Sequence, residues 1–157
     1  MPTLTAKDIM VKDILTVSVN WSVDRLTRFL IEHSITGAPV LDEDQRLAGV
    51  VSLTDIARHY KVATHDLNKE PHDYYLPNVE VQYAKELISS LDVEKEDKLK
   101  ISDIMTPMVF SVSEDTTIQQ VADAMIRGRI HRVLVVKDYK VIGIITTLDM
   151  LKVLRDL

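Results

Sequence analysis

Apolar and polar positions follow the same order twice along this chain. An apolar run at 14–19 is followed by apolar residues at helical spacing, which predicts a strand and then a helix of about eleven residues. Continuous apolar runs at 38–41 and 47–51, separated by a polar turn, predict two buried strands. Ser52 then opens a second helix, and a series beginning at residue 109 repeats the whole order. Ser22 and Thr117 lie at the N-cap positions of the first helix in each copy, and Thr117 with Gln120 has the spacing of a capping box.

Individual residues also recur. The tripeptide Asp-Ile-Met occurs at 8–10 and 103–105, and the pattern Gly-x-x-Ser/Thr-x-x-Asp occurs at 49–55 and 143–149. Ten identities fall within about fifty aligned positions, where ordinary residue usage gives roughly three. The chain therefore contains two copies of one unit.

Each copy is predicted to be a β-α-β-β-α unit, at residues 6–58 and 101–155. One such unit cannot cover both faces of its small sheet, whereas two units packed with pseudo-twofold symmetry can. We therefore predict an α/β (α+β) fold made of two packed repeats. Residues 59–100 are an insert, in which 74–77 predict a turn with aromatic anchors and 79–91 an amphipathic helix.

Composition and charge argue against several classes of protein. The 157 residues carry 19 basic and 24 acidic side chains, a net charge of −5 that argues against a broad nucleic-acid surface. The absence of cysteine excludes disulfides and thiolate chemistry and fits a reducing compartment. With no apolar stretch of 18 residues and no signal peptide, we expect a cytoplasmic protein that does not span a membrane.

The repeated pattern ending in Asp55 and Asp149 has two interpretations. The hydroxyl of Ser52 or Thr146 lies where a strand meets a helix N-terminus, which suits a phosphate, and the acid suits a ribose diol. The same spacing is that of a helix capping box. Both interpretations remain open from the spacing alone.

The ordered set of motifs resembles a tandem pair of cystathionine-β-synthase (CBS) domains. The resemblance rests on Asp-Ile-Met, on the strands at 36–40 and 130–135, and on the two Gly-x-x-Ser/Thr-x-x-Asp endings. It implies a pseudo-symmetric regulatory module that binds adenine nucleotides (AMP, ADP or ATP) in clefts between the copies. It also implies a flat homodimer and a regulated partner protein, with no catalytic residue.

The resemblance assigns ligand-binding residues to two clefts, each of which mixes the two copies. One set comprises Ile14, Leu15, Ile35, Thr36, Gly37, Ile144, Thr146 and Asp149. The other comprises Val50, Ser52, Thr54, Asp55, Val109, Phe110, Ile130 and His131, with Arg132 near the phosphates. Arg127 and Arg129 extend this basic run or form a solvated helix end.

The two sets differ at matched positions. Leu148 stands where the other copy has Thr54, and Thr36 stands where the other copy has His131. We expect unequal affinities, with the Asp55 cleft better equipped because it has one more hydroxyl and the basic side chains of His131 and Arg132.

Other functions have weaker support. His59, His65 and His72 match no compact metal motif, so we expect no metal site. Neither a catalytic triad nor a phosphate-binding loop motif is recognisable, which leaves an enzyme as the least favoured class. The main alternative to ligand sensing is a structural or interaction module whose clefts bind nothing.

Overall fold

The computed structural model describes residues 2–59, 73–75 and 99–157. Both copies contain the predicted β-α-β-β-α order, each preceded by a short helix that the pattern did not predict, and the fold is α+β. The elements before the insert are α1 (Ala6–Ile9), β1 (Val17–Ser18), α2 (Val23–Glu32), β2 (Gly37–Leu41), β3 (Leu47–Ser52) and α3 (Leu53–His59). After a 3-10 turn (Asp73–Tyr75) come α4 (Ile101–Ile104), β4 (Ser111–Val112), α5 (Ile118–Gly128), β5 (Arg132–Lys137), β6 (Lys140–Thr146) and α6 (Thr147–Arg155).

Each copy forms its own three-stranded sheet, in the orders β1-β2-β3 and β4-β5-β6. In both sheets the leading strand is parallel to the middle strand, and the middle strand is antiparallel to the last. The leading strands are shorter than the apolar runs that predicted them. Strand pairing comprises Val17 and Ser18 in the first copy and Ser111 and Val112 in the second.

Side-chain caps start the long helices where the sequence predicts. The hydroxyl of Ser22 accepts a hydrogen bond from the Arg25 backbone N–H at 3.1 Å. Thr117 forms the predicted reciprocal box, because its hydroxyl accepts from the Gln120 N–H while the Gln120 side chain accepts from the Thr117 N–H. Each cap satisfies donors that the first helical turn leaves without partners.

The chain divides into two compact units that do not coincide with the two copies. One unit, the 15–108 unit, contains the first sheet, and the other, the terminal unit, combines residues 1–14 with 109–157. In the terminal unit the N–H groups of Ala6 and Lys7 donate to the carbonyls of Thr116 and Glu114. The segment that leads into the first copy therefore packs on the sheet and helices of the second.

The 15–108 unit has a continuous apolar core. Helix α2 buries Val23, Leu26 and Leu30, at the spacing that the sequence predicts for its inner face. Strands β2 and β3 supply Val40 and Val51 to the same cluster. Ile101 of α4 is fully buried in it as well, so the segment that leads into the second copy belongs to this core.

Only part of the insert lies within the described residues. Tyr74 and Tyr75 are buried, with ring centroids 5.1 Å apart, as the prediction of aromatic anchors requires. A Cβ on Gly37 would lie 2.8 Å from the Tyr74 ring, so this glycine makes room for the turn. The predicted helix at 79–91 lies outside the described residues. Among the helices described, none has the length and apolar character to cross a bilayer.

Candidate functional site

The acid of the first repeated pattern is enclosed by hydrogen-bond donors. Asp55 is 2% exposed, and its Oδ2 accepts from the Ser52 backbone N–H at 2.8 Å and from the Ser52 hydroxyl at 3.3 Å. Its Oδ1 accepts from the Arg58 guanidinium at 3.1 Å and from the Thr106 hydroxyl at 3.4 Å. The Thr54 hydroxyl lies 2.6 Å from the Ser52 hydroxyl, so it is used within the cap.

The acid of the second pattern has a simpler set of partners. Oδ2 of Asp149 accepts from the Thr146 backbone N–H and hydroxyl, both at 2.9 Å. Oδ1 accepts from the Lys152 ammonium at 3.3 Å, and the Lys152 side chain is 54% exposed. The Asp149 side chain is 9% exposed, against 1% for Asp55.

These bonds bear directly on the two interpretations of the pattern. In each copy Oδ2 of the acid serves the cap, which realises the capping geometry. Oδ1 is not used by the cap and accepts from side chains, Arg58 and Thr106 at Asp55 and Lys152 at Asp149. Because an ionised carboxylate offers about four lone-pair positions, capping through Oδ2 does not by itself prevent Oδ1 from accepting a hydrogen bond from a diol. The two roles are therefore compatible.

The glycine of each pattern has no side chain, which lets the segment around the other copy's Asp-Ile-Met pack closely against it. A Cβ on Gly49 would overlap the carbonyl oxygen of Thr106, and a Cβ on Gly143 would overlap the side chain of Met10. Beside these glycines, Val50 and Thr106 exchange backbone hydrogen bonds of 2.9 and 2.8 Å. Each glycine thus brings the residue after Asp-Ile-Met towards the acid.

A pocket of about 430 Å³ lies against Asp149 within the terminal unit. Helices α1 and α6 form its sides, and the Lys152 ammonium is its cation. The Thr5 N–H and hydroxyl donate to the Asp8 carboxylate and lower the pKa of Asp8, which keeps it ionised. Its lining is Leu4, Asp8, Ile9, Val11, Asp149, Lys152, Val153, Asp156 and Leu157.

A second, largely apolar pocket of about 340 Å³ lies elsewhere on the terminal unit, between α5 and α6. His131 lines it, with ring Nδ1 3.3 Å from the Thr147 hydroxyl. Arg129 lines it too, whereas Arg127 forms an ion pair with Asp123 at 3.0 Å.

The predicted ligand-binding residues divide between the two units. Sheet pairing places Gly37 beside Ser52 and Arg132 beside Thr146. The combination of residues across copies remains a prediction of the resemblance. The 15–108 unit holds Leu15, Ile35, Thr36, Gly37, Val50, Ser52, Thr54 and Asp55, and the terminal unit holds Ile14, Val109, Phe110, Ile130, His131, Arg132, Ile144, Thr146 and Asp149.

Comparison with known proteins identifies the family. The family model described as "CBS domain" matches residues 6–62 and 101–156. The chain belongs to the CBS domain family. The resemblance stated from the motifs is thereby confirmed, and the two matches lie close to the two predicted repeats.

Relatives and solved structures resemble the CBS pair over nearly its whole length. The uncharacterized protein MJ1426 of Methanocaldococcus jannaschii is 34% identical over 94% of this chain and 89% of its own length. The CBS domain pair of protein MJ0100, solved with 5′-methylthioadenosine and S-adenosyl-L-methionine, is 27% identical with a TM-score of 0.64, covering 99% and 98% of the two chains. CBSX2 of Arabidopsis thaliana in complex with AMP is 26% identical with a TM-score of 0.65, covering 97% and 96%. Other curated relatives are longer, and this chain spans 40% and 60% of two of them.

Sequence reasoning missed four residues around the two acids of the CBS pair. Arg58 and Lys152 each lie three positions after the acid. This spacing is typical of ion pairs on a helix, so the sequence alone could have indicated both contacts. Thr106 and Val11 follow the repeated Asp-Ile-Met, but no local pattern indicates that they approach the opposite copy's strand. Among the described residues, no group of three or more His, Cys, Asp or Glu side chains is arranged to hold a metal ion. His65 and His72 lie outside those residues.

Proposed function

We propose that this chain is a ligand-sensing regulatory module that binds an adenosine ligand, such as AMP, ADP or ATP, through Asp55 and Asp149. The observation that carries the proposal is the Asp149 carboxylate, whose Oδ2 is used by the cap while Oδ1, among the described residues, accepts only from the exposed Lys152. A vicinal ribose diol donates two hydrogen bonds, and an ionised carboxylate is the acceptor that strengthens them.

The solved relatives support the ligand class. MJ0100 was solved with two adenosine derivatives and CBSX2 with AMP. The ribose and adenine are common to all three ligands, whereas the 5′ substituent differs. We therefore propose that the acids recognise ribose and that Arg132 contacts the 5′ group. The hydroxyls of Ser52 and Thr146 would join it by exchanging their bonds within the caps for bonds to the ligand.

Ligand addition is expected to stabilise the fold. A site filled at 100 times its dissociation constant adds about 2.7 kcal/mol to the free energy of unfolding. Urea unfolding with AMP, ADP, ATP, 5′-methylthioadenosine and S-adenosyl-L-methionine measures this increase in the free energy of unfolding. The matched control is 2′-deoxy-AMP, which keeps the base and phosphate but lacks one hydroxyl of the diol and should stabilise less. If none of these ligands raises the midpoint, the chain is instead a structural or interaction module.

Exposed apolar residues on the terminal unit support the homodimer that we propose. Leu148, Leu151 and Leu154 recur every three residues along α6 and are more than half exposed, as is Ile126 of α5. Such a row leaves water when it packs against a second copy of itself. The regulated partner is a separate protein, which we place with this one in the cytoplasm.

Disrupting the row of exposed leucines on α6 is expected to produce monomers. Leu151→Glu puts a charge into the apolar row, and desolvating an unpaired charge opposes association. Sedimentation velocity should show a lighter species for this variant. Gln119→Glu is the matched control, because it adds the same charge at an exposed polar position of α5. A wild-type chain that sediments as a monomer rejects the dimer.

A further inference from the structure

The two acids differ in how many of their acceptor positions are already filled. Each oxygen of Asp55 accepts at least two hydrogen bonds, from donors on Ser52, Arg58 and Thr106. Among the described residues, Asp149 accepts three, and its Oδ1 accepts from Lys152 alone. Because a carboxylate has about four lone-pair positions, a diol must displace an existing donor at Asp55.

One pair of matched positions gives Asp55 a donor that Asp149 lacks among the described residues. Thr106 pairs with Val50 through two backbone hydrogen bonds, and Val11 pairs with Ile144 through two of the same kind, at 2.9 and 3.0 Å. The backbone at 106 and 11 is therefore held alike beside the acid. Thr106 carries a hydroxyl that donates to Oδ1 of Asp55, whereas Val11 carries a methyl and donates nothing.

The surroundings of Asp149 leave room for a ligand. Val11 and Asp149 line one pocket of about 430 Å³, so ligand atoms have room beside this acid. The extra hydroxyl that favoured Asp55 in the sequence belongs to Thr54, which bonds to Ser52 at 2.6 Å. The hydroxyl count that ranked the Asp55 cleft higher therefore does not describe groups available to a ligand.

We propose that Thr106 is a positioning residue that occupies Oδ1 of Asp55, so that the Asp149 site fills with an adenosine ligand before the Asp55 site. The proposal rests on the proposed function for its ligand class. Thr106 and Val11 thereby set the difference in affinity between the two sites, and exchanging the two residue types should reduce it.

The binding experiment titrates AMP into full-length variants by calorimetry. In an Asp149→Asn background, which isolates the Asp55 site, Thr106→Val should lower the dissociation constant about three- to tenfold, the net effect of one ordinary hydrogen bond. Thr106→Ser keeps the hydroxyl and is the matched control, with the wild-type affinity expected. In the otherwise wild-type chain, Val11→Thr should raise the dissociation constant of the tighter site by a similar factor.

A second experiment needs no ligand. A double-mutant cycle of Thr106→Val and Asp55→Asn, followed by urea unfolding, measures the coupling between the two side chains. The contact predicts that Thr106→Val lowers the unfolding midpoint of the wild-type chain and has a smaller effect when Asp55 is already replaced.

The outcomes separate the inference from the proposed function. Coupling together with tighter AMP binding at the Asp55 site supports the inference. Absence of coupling overturns it, and so does an unchanged or weaker affinity in Thr106→Val. Coupling without AMP binding to any variant, including the wild type, supports the positioning of Asp55 by Thr106 and rejects the proposed function.

Discussion

Replacing Gly49 by alanine is expected to lower the free energy of unfolding by about 1–3 kcal/mol. The new Cβ would overlap the carbonyl oxygen of Thr106 and lie 3.2 Å from the Cα of Pro107. Because these are backbone atoms, relief requires moving the segment that also carries Thr106 and Ile101. Urea unfolding monitored by far-UV circular dichroism measures the loss.

Two other glycines provide a graded comparison. A Cβ on Gly143 would meet only the flexible side chain of Met10, so Gly143→Ala should cost less than Gly49→Ala. A Cβ on Gly128 would meet Ile130 at 3.5 Å, which is ordinary contact, and Gly128→Ala should change stability by no more than about 0.5 kcal/mol. Equal losses for Gly49→Ala and Gly128→Ala would show that the overlap is not what glycine avoids.

Asp55→Ala is expected to destabilise the fold by about 2–3 kcal/mol, more than Asp149→Ala. Loss of the 1% exposed carboxylate removes the acceptor of the Ser52 backbone N–H and breaks the ion pair between Asp55 and Arg58. At Asp149 the corresponding cation, Lys152, is more than half exposed and recovers its hydration. Asp149→Ala should therefore cost about 1 kcal/mol, the ordinary value of a lost helix cap.

The same pair of variants also tests ligand binding. Asp149→Ala should remain folded and lose most of its stabilisation by AMP, because the ribose acceptor is gone while the cap costs little. Thr117→Ala, which removes a cap far from both acids in sequence, is the matched control: it should lose similar stability and keep its response to AMP. A normal AMP response in Asp149→Ala would restrict this carboxylate to capping.

Local sequence determines much of this protein because the deciding interactions are short in range. Continuous apolar runs and helical spacings of apolar residues specify two β-α-β-β-α copies, and the structure confirms that order of elements within each copy. Ser22 and Thr117 cap their helices through partners three residues away. The recurrence of Asp-Ile-Met and of the glycine-to-acid pattern suffices to recognise the CBS family.

The groups that surround the two acids come from residues far apart in sequence, which no local pattern indicates. Thr106 reaches Asp55 across 51 positions of sequence, and Met10 meets Gly143 from near the opposite end of the chain. These contacts exist because each leading segment packs in the unit that holds the other copy's sheet. Sequence alone therefore determined the two repeats, their caps and the two acids. The tertiary structure decided which acceptor positions of those acids are filled, because the donors come from segments that only folding brings together.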